Sequence, residues 1–207
     1  MNNEIELDPE FMDTVIEAQF NVVKLGWFRT LYYYMIDNQY RTTKRLDEFI
    51  QEQLYSPSPE LLELVKVLRT QDMDETIINI LKWVYTNTVY DSDDNVYNRT
   101  EFWSIASNTV DRKRGDCEDQ NGLIYVLARL CGIPAYVIYC AIGDVFGGGH
   151  FWCIYYSTKH RKLVSIDASY YPSIISIEDR PEFKFSETKY KSIWYLFSDK
   201  FIYKYGN

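Results

Sequence analysis

Gly115-Asp116-Cys117-Glu118-Asp119-Gln120-Asn121-Gly122-Leu123-Ile124-Tyr125-Val126-Leu127-Ala128-Arg129-Leu130-Cys131-Gly132-Ile133-Pro134 is the stretch whose reading decides the fold. From Asp116 onward the pattern is helical, with Leu123, Leu127 and Leu130 on one stripe, and Gly132 with Pro134 just beyond ends it. Cys117 falls at the second or third position of that helix. Unpaired N–H groups and the positive end of the helix dipole favour a thiolate there, and Arg112, Lys113 and Arg114 just upstream add positive potential. A cysteine at a helix start also offers its own N–H as one oxyanion donor. The other cysteines read as small buried hydrophobes, Cys131 at the helix end and Cys140 and Cys153 inside apolar strands.

Downstream, the periodicity changes. Ala135–Ile142, His150–Ser157 and Leu163–Tyr170 are rich in Val, Ile, Tyr and Phe and are separated by Gly or charged turns, which predicts three strands. The aromatic residues 193–205 predict one more. His150 follows three glycines at the first position of its strand, where its side chain projects from the strand's end. Asp167 sits between Ile166 and Ala168 in an apolar strand, and a carboxylate there needs a partner. A turn centred on Thr158-Lys159 sets His150 directly opposite Asp167 on one face, where the carboxylate can hold one imidazole tautomer. Cys117, His150 and Asp167 then supply a nucleophile, a base and an orienting group, the constellation of thiol-based acyl transfer. His160, among Thr158-Lys159-His160-Arg161-Lys162, reads as surface.

Upstream, the chain reads as helices. Asp8-Pro9 is a cap with proline at the first helical position, and Phe11, Val15, Phe20 and Val23 follow at helical spacing. A second apolar run covers Trp27 to Ile36, and a third helix runs from Thr43 to Leu54 until Ser56-Pro57-Ser58-Pro59 breaks it. Ser58 caps the next helix, with Leu61, Leu62, Leu64, Val65 and Leu68 as its buried stripe. Asp72 and Glu75 have capping-box spacing ahead of Ile77, Ile78, Ile80, Leu81 and Val84. Asp91–Asn95 reads as a turn. Helices, then the cysteine helix, then an antiparallel meander make an α+β fold. Residues 1–75 are expected to form an acidic helical layer packed on a catalytic domain of residues 76–207.

The net charge of −8 belongs to residues 1–75, which carry 15 acids against 7 bases. That balance argues against nucleic acid as a partner, and the acidic face suits a protein partner. The start of the chain lacks a basic, then apolar, leader pattern, and no run approaches the roughly 18 apolar residues of a membrane span, so a cytoplasmic location away from membranes is expected. The four cysteines include no Cys-x-x-Cys pair and there are only 2 histidines, so reduced thiols are expected and a zinc site is not. The 19 tyrosines read as a tyrosine-rich core.

From Ile80 to Pro172 these segments resemble the transglutaminase-like superfamily, which shares its core with papain-like cysteine proteases. The likeness is carried by Trp83-Val84 and Tyr90, Phe102-Trp103, Gly115-Asp116-Cys117-Glu118-Asp119, Leu130-Cys131-Gly132-Ile133-Pro134-Ala135, His150-Phe151-Trp152 and Ile166-Asp167-Ala168-Ser169. Trp followed by Gly-Asp-Cys-Glu-Asp is most similar to the bacterial and phage cysteine-protease branch. Tyr136 stands where the family often has Arg. The resemblance implies Cys117 as nucleophile, His150 as base and Asp167 as orienter. It requires no cofactor, but in some bacterial members the acids beside the cysteine bind calcium, so Asp116, Glu118 and Asp119 become candidate calcium ligands. Trp103 and Trp152 are candidate oxyanion-hole or substrate residues. The expected function is a cysteine-dependent peptidase or amidase acting on a protein or peptide through a thioester. A protein transglutaminase or deamidase differs only in the second acyl acceptor. A scaffold that keeps the fold without turnover has no need of all three residues.

Overall fold

The computed structural model describes residues 8–26, 45–170, 172–185 and 189–205. Helix α1 (Pro9–Phe20) starts where Asp8 Oδ1 accepts the Phe11 N–H at 2.7 Å. It stops at Phe20 because Asn21 adopts a left-handed φ of 51°, and Val22–Lys24 continue as strand β1, so Val23 is not part of the helix. The apolar run Trp27–Ile36 and the start of the third expected helix lie outside the described residues. Helices α2 (Leu46–Tyr55) and α3 (Pro59–Leu68) follow, the latter capped by Ser58 Oγ accepting the Leu61 N–H at 3.3 Å. At the start of α4 (Met73–Asn87), Asp72 Oδ1 accepts from the N–H groups of Asp74 at 2.8 Å and Glu75 at 3.2 Å. The Asp72 N–H donates to Thr70 Oγ1 at 3.2 Å, so Thr70 takes the place of the reciprocal arm of a capping box.

Strand β2 (Val89–Tyr90), helix α5 (Asp93–Tyr97), helix α6 (Ala106–Arg112) and strand β3 (Arg114–Gly115) lead to the cysteine helix α7 (Cys117–Leu130). Of the expected turn or loop at Asp91–Asn95, Asp91 and Ser92 lie outside any helix, whereas residues 93–95 begin α5. Ser92 is its N-cap, and Asp93 and Asp94 in its first turn suit the positive helix end. Strands β4 (Ile138–Val145), β5 (Gly148–Ser157), β6 (Lys162–Ile166), β7 (Tyr195–Phe197) and β8 (Ile202–Tyr205) complete the chain. The aromatic stretch 193–205 is two strands rather than one, because Ser198 turns the chain. Its N–H reaches Phe201 O at 2.8 Å, and its Oγ accepts from the N–H groups of Lys200 and Phe201.

The main sheet runs β1-β8-β7-β4-β5-β6 with every neighbour antiparallel. Residues 123–128 of α7 are buried without interruption, as in a helix enclosed on all sides. It packs on β4 and β5 on one side and on α2, α3, α4 and α6 on the other. The described part of residues 1–75 therefore supplies an edge strand, through Val22 opposite Tyr205, as well as helices against α7.

Gly143 stands opposite His150 in the β4–β5 register. A Cβ there would lie 2.0 Å from the Ser192 carbonyl oxygen, which is backbone and cannot swing aside. Gly143→Ala should therefore lower stability by about 3 kcal/mol, at the upper end of overpacking costs. Urea titration checks this; an unchanged midpoint would show that the 190–194 segment moves away at no cost.

Candidate active site

Cys117 is the first residue of α7 and Asp116 is its N-cap. The backbone just before it is held by a close approach: a Cβ on Gly115 would lie 2.2 Å from Asp119 Oδ2, so only glycine fits. The buried Asp119 accepts the Tyr97 hydroxyl at 2.9 Å and the Ser104 N–H at 3.1 Å, tying residues 97–104 to the cysteine helix. The Cys117 thiol is partly buried and donates to Glu118 Oε2 at 3.1 Å, while the Phe151 N–H is directed at the sulfur. Burial pushes this thiol well above its usual range, and the Glu118 and Asp116 carboxylates push it further. The expectation of a thiolate favoured by Arg112, Lys113 and Arg114 is thus corrected. Arg112 lies over the Tyr97 ring at 4.9 Å and Arg114 pairs with Asp91 at 3.3 Å, so their charge is spent elsewhere and the nearest charges are acids.

His150 and Asp167 meet, though not through the expected register. Ser157 pairs with Lys162, so the turn spans residues 158–161, with Arg161 at φ 52° and the His160 N–H on Ser157 Oγ at 3.0 Å. This slips the pairing by two residues from a two-residue turn. A two-residue slip keeps each side chain on its own face, so His150 and Asp167 become diagonal rather than direct neighbours. His150 Nε2 lies 2.7 Å from Asp167 Oδ2.

Asp167 is the best-satisfied side chain of the site. Oδ1 accepts from Asn121 Nδ2 at 3.1 Å, Ser169 N at 3.0 Å, Ser169 Oγ at 3.1 Å and Tyr170 N at 3.1 Å. Oδ2 accepts from the Tyr190 hydroxyl at 2.8 Å as well as from His150. Burial alone would raise this carboxyl, but the hydrogen bond and charge of His150, with the Ser169 N–H and the Tyr190 hydroxyl, bring it below the usual carboxylate range. An ionised carboxylate can only accept, so Nε2 carries a proton toward Asp167, and in the neutral ring Nδ1 is then the atom with the free lone pair.

The two tryptophans differ. Trp152 is 0% exposed and stacks on the His150 ring at 5.9 Å with planes 11° apart, so it backs the imidazole and has no surface to offer a substrate. Trp103 is partly buried, meets Phe151 edge-on at 5.5 Å, and donates its Nε1–H to Glu101 Oε1 at 3.1 Å.

An acidic cluster flanks the thiol. Asp116, Cys117 and Glu118 converge within 4.8 Å, as do Asp93, Asp116 and Asp119, and Asp93, Glu101 and Glu118. Asp93 Oδ1 and Asp116 Oδ1 are buried with no hydrogen-bond partner among the described residues. Two such orphaned oxygens, in a set made almost wholly of carboxylates, fit a hard cation such as calcium.

Burial raises Asp93 to about 6 and Asp119 to about 7. In a chelator, the folded chain therefore keeps protons on these groups after the unfolded chain has released them near pH 4, and stability falls as pH rises through their folded values. The melting temperature in EDTA should drop from about pH 5 to about pH 8, and millimolar calcium should remove most of the drop. A melting temperature that rises over that range in EDTA would contradict the assignment.

Sequence reasoning missed Asn121, Tyr190, Asp93 and Glu101. Asn121 carried a signal, an amide one helical turn after Cys117 on a helix that must be buried. Tyr190 carried none, since nothing local distinguishes it among 19 tyrosines.

Among the described residues, no helix is long and apolar enough to cross a membrane. No curated protein matches the sequence significantly. Among solved structures, calcium-bound LapG of Legionella pneumophila is similar, with a TM-score of 0.55 and 15% identity over 76% of this chain and 87% of that one. The EGTA-treated form gives a TM-score of 0.52 and 16% identity over 76% and 84%. These likenesses show the shared fold. The transglutaminase-like superfamily profile matches residues 64–168, just over half of the chain, and includes Cys117, His150 and Asp167. The chain belongs to the transglutaminase-like superfamily.

Proposed function

We propose that this protein is a cysteine-dependent peptidase or amidase that cleaves a protein or peptide through a thioester at Cys117. The observation that carries this reading is the 2.7 Å bond from His150 Nε2 to Asp167, which leaves Nδ1 as the ring's basic atom, on the residue next to the Phe151 N–H that is directed at the sulfur. In the reaction, His150 Nδ1 takes the Cys117 proton as Sγ bonds to the substrate carbonyl carbon. The oxygen becomes an oxyanion opposite the Cys117 N–H, which the helix leaves unpaired at its first position. The imidazolium gives its proton to the leaving nitrogen as the C–N bond breaks. Water, deprotonated by Nδ1, then releases the acyl group, and the sulfur regains its proton. Trp103 is a second oxyanion donor in this reading, provided its indole N–H leaves Glu101.

Asp93, Glu101, Asp116 and Glu118 would hold a calcium ion, with Asp119 closing the cluster, and the orphaned oxygens of Asp93 and Asp116 support this. Bound calcium supplies positive charge to carboxylates that otherwise remain partly protonated. Glu118 belongs to this cluster and is also the acceptor of the thiol proton. With Glu118 held in the cluster, the thiol would lose that acceptor and could turn to His150. The calcium-bound and EGTA-treated forms of LapG are consistent with such an ion.

The test is digestion of a pool of unfolded proteins in calcium, with new peptide termini read by mass spectrometry. The wild type should create termini that Cys117→Ala does not, and putrescine should not be incorporated in their place. An identical set of termini from the alanine variant would overturn the proposal.

A further inference from the structure

We propose that Asn121 is a positioning residue that sets the distance between nucleophile and base, by locking the cysteine helix to both the histidine strand and the aspartate. This rests on the reading of Cys117, His150 and Asp167 given above. Asn121 lies one turn along α7 from Cys117 and is 0% exposed. Its Nδ2 donates to Phe151 O at 2.8 Å, Asp167 Oδ1 at 3.1 Å and Ser169 Oγ at 3.1 Å, and its Oδ1 accepts the Ala168 N–H at 2.9 Å. Its own carbonyl accepts the Cys153 thiol at 3.2 Å. One amide therefore spans three segments: the helix bearing the nucleophile, the residue after the base, and the orienter with the two residues that follow it. Phe151, whose carbonyl it holds, is also the residue whose N–H is directed at the Cys117 sulfur.

Apolar packing is less specific than this restraint. Leu123, Leu127 and their neighbours hold α7 on the sheet through many weak, non-directional contacts, and the bonds that Gln120, Tyr125 and Arg129 donate to other side chains go to Thr88 and Asp199 rather than to His150 or Asp167. A hydrogen-bonded amide has narrow distance and angle tolerances, and reacting groups misplaced by about 1 Å lose about 10²-fold in rate. Asn121 also has the right polarity for each partner. Its amino group faces acceptors, including an ionised carboxylate, and its oxygen faces a donor. Aspartate has the same shape but opposes Asp167 Oδ1 and Phe151 O with an acceptor.

The probe is a benzyloxycarbonyl-Phe-Ala fluoromethyl ketone, used in calcium on the full chain. The Cys117 sulfur bonds to its methylene carbon as fluoride leaves, and His150 takes the thiol proton. Alkylation is saturable, so binding (KI) and reaction (kinact) separate. Asn121→Ala should lower kinact by about 10²-fold per folded molecule while KI stays within about twofold, and Asn121→Asp should not restore it. A merely structural role would lower the melting temperature of Asn121→Ala but leave kinact per folded molecule unchanged, and the isosteric aspartate would be close to wild type. Either result would overturn the proposal. Should Asn121→Ala fail to fold, Asn121→Ser is read in the same way, since its hydroxyl is too short to span the three segments. If wild-type Cys117 itself does not react, the fault lies with the catalytic reading and not with Asn121.

Discussion

Cys117→Ala should abolish turnover, by at least about 10⁴-fold, because no other group among the described residues can form the acyl intermediate at this position. Cys131, Cys140 and Cys153 are buried, and burial raises Cys131 to about 11 and Cys140 well above its usual range. The fold should not suffer. Removing the thiol takes one group away from a crowded acidic cluster and leaves the helix N-cap, Asp116, in place. The melting temperature should thus stay level or rise slightly while activity vanishes. Differential scanning fluorimetry beside the peptide-termini assay checks both halves. Loss of activity together with loss of the folded state would mean that Cys117 acts through structure.

Asp167→Asn is the second large effect, and it differs in kind. Six donor contacts converge on the Asp167 carboxylate, from His150, Asn121, Ser169, Tyr170 and Tyr190. An amide accepts through one oxygen only, so its NH2 must face donors whichever way it is turned. If the NH2 faces His150, the ring proton moves to Nδ1 and the base is lost, which predicts a fall in kcat of about 10³–10⁴-fold. If it faces the Ser169 side, buried N–H groups there lose their acceptor, at about 1–3 kcal/mol for each group left unpaired. Asp167→Asn should therefore lose both rate and stability. Its Tm should fall by several degrees. A variant with full stability and reduced rate would show that Ser169, Tyr170 and Tyr190 do not depend on the charge.

The cysteine helix, the strands and the residues of the candidate site were legible because each leaves a local mark. Cys117 stands at a helix start, His150 follows three glycines, and Asp167 breaks an apolar run, where strand β6 ends at Ile166 rather than continuing to Tyr170. The errors came where local marks are silent. The turn after β5 holds four residues rather than two because Ser157 Oγ caps it, and that shifted the predicted partner of Asp167 without moving it off its face. The basic run before Cys117 gave the wrong sign for the local field, since side-chain direction decides it, and Arg112 and Arg114 turn toward Tyr97 and Asp91. Asp93 and Glu101 join the acidic cluster only through the path of residues 93–104, and strand β1 exists only because β8 offers it an edge. Such pairings between distant segments leave no periodicity to read.

The most direct test of the central claim is the intact mass and peptide map of the full chain after the fluoromethyl ketone in calcium. The account predicts a single adduct, on Cys117, that forms at least about 10²-fold more slowly in His150→Ala, in line with the contribution of a positioned base. An adduct on Cys131, Cys140 or Cys153, or a Cys117 rate indifferent to His150→Ala, would contradict it.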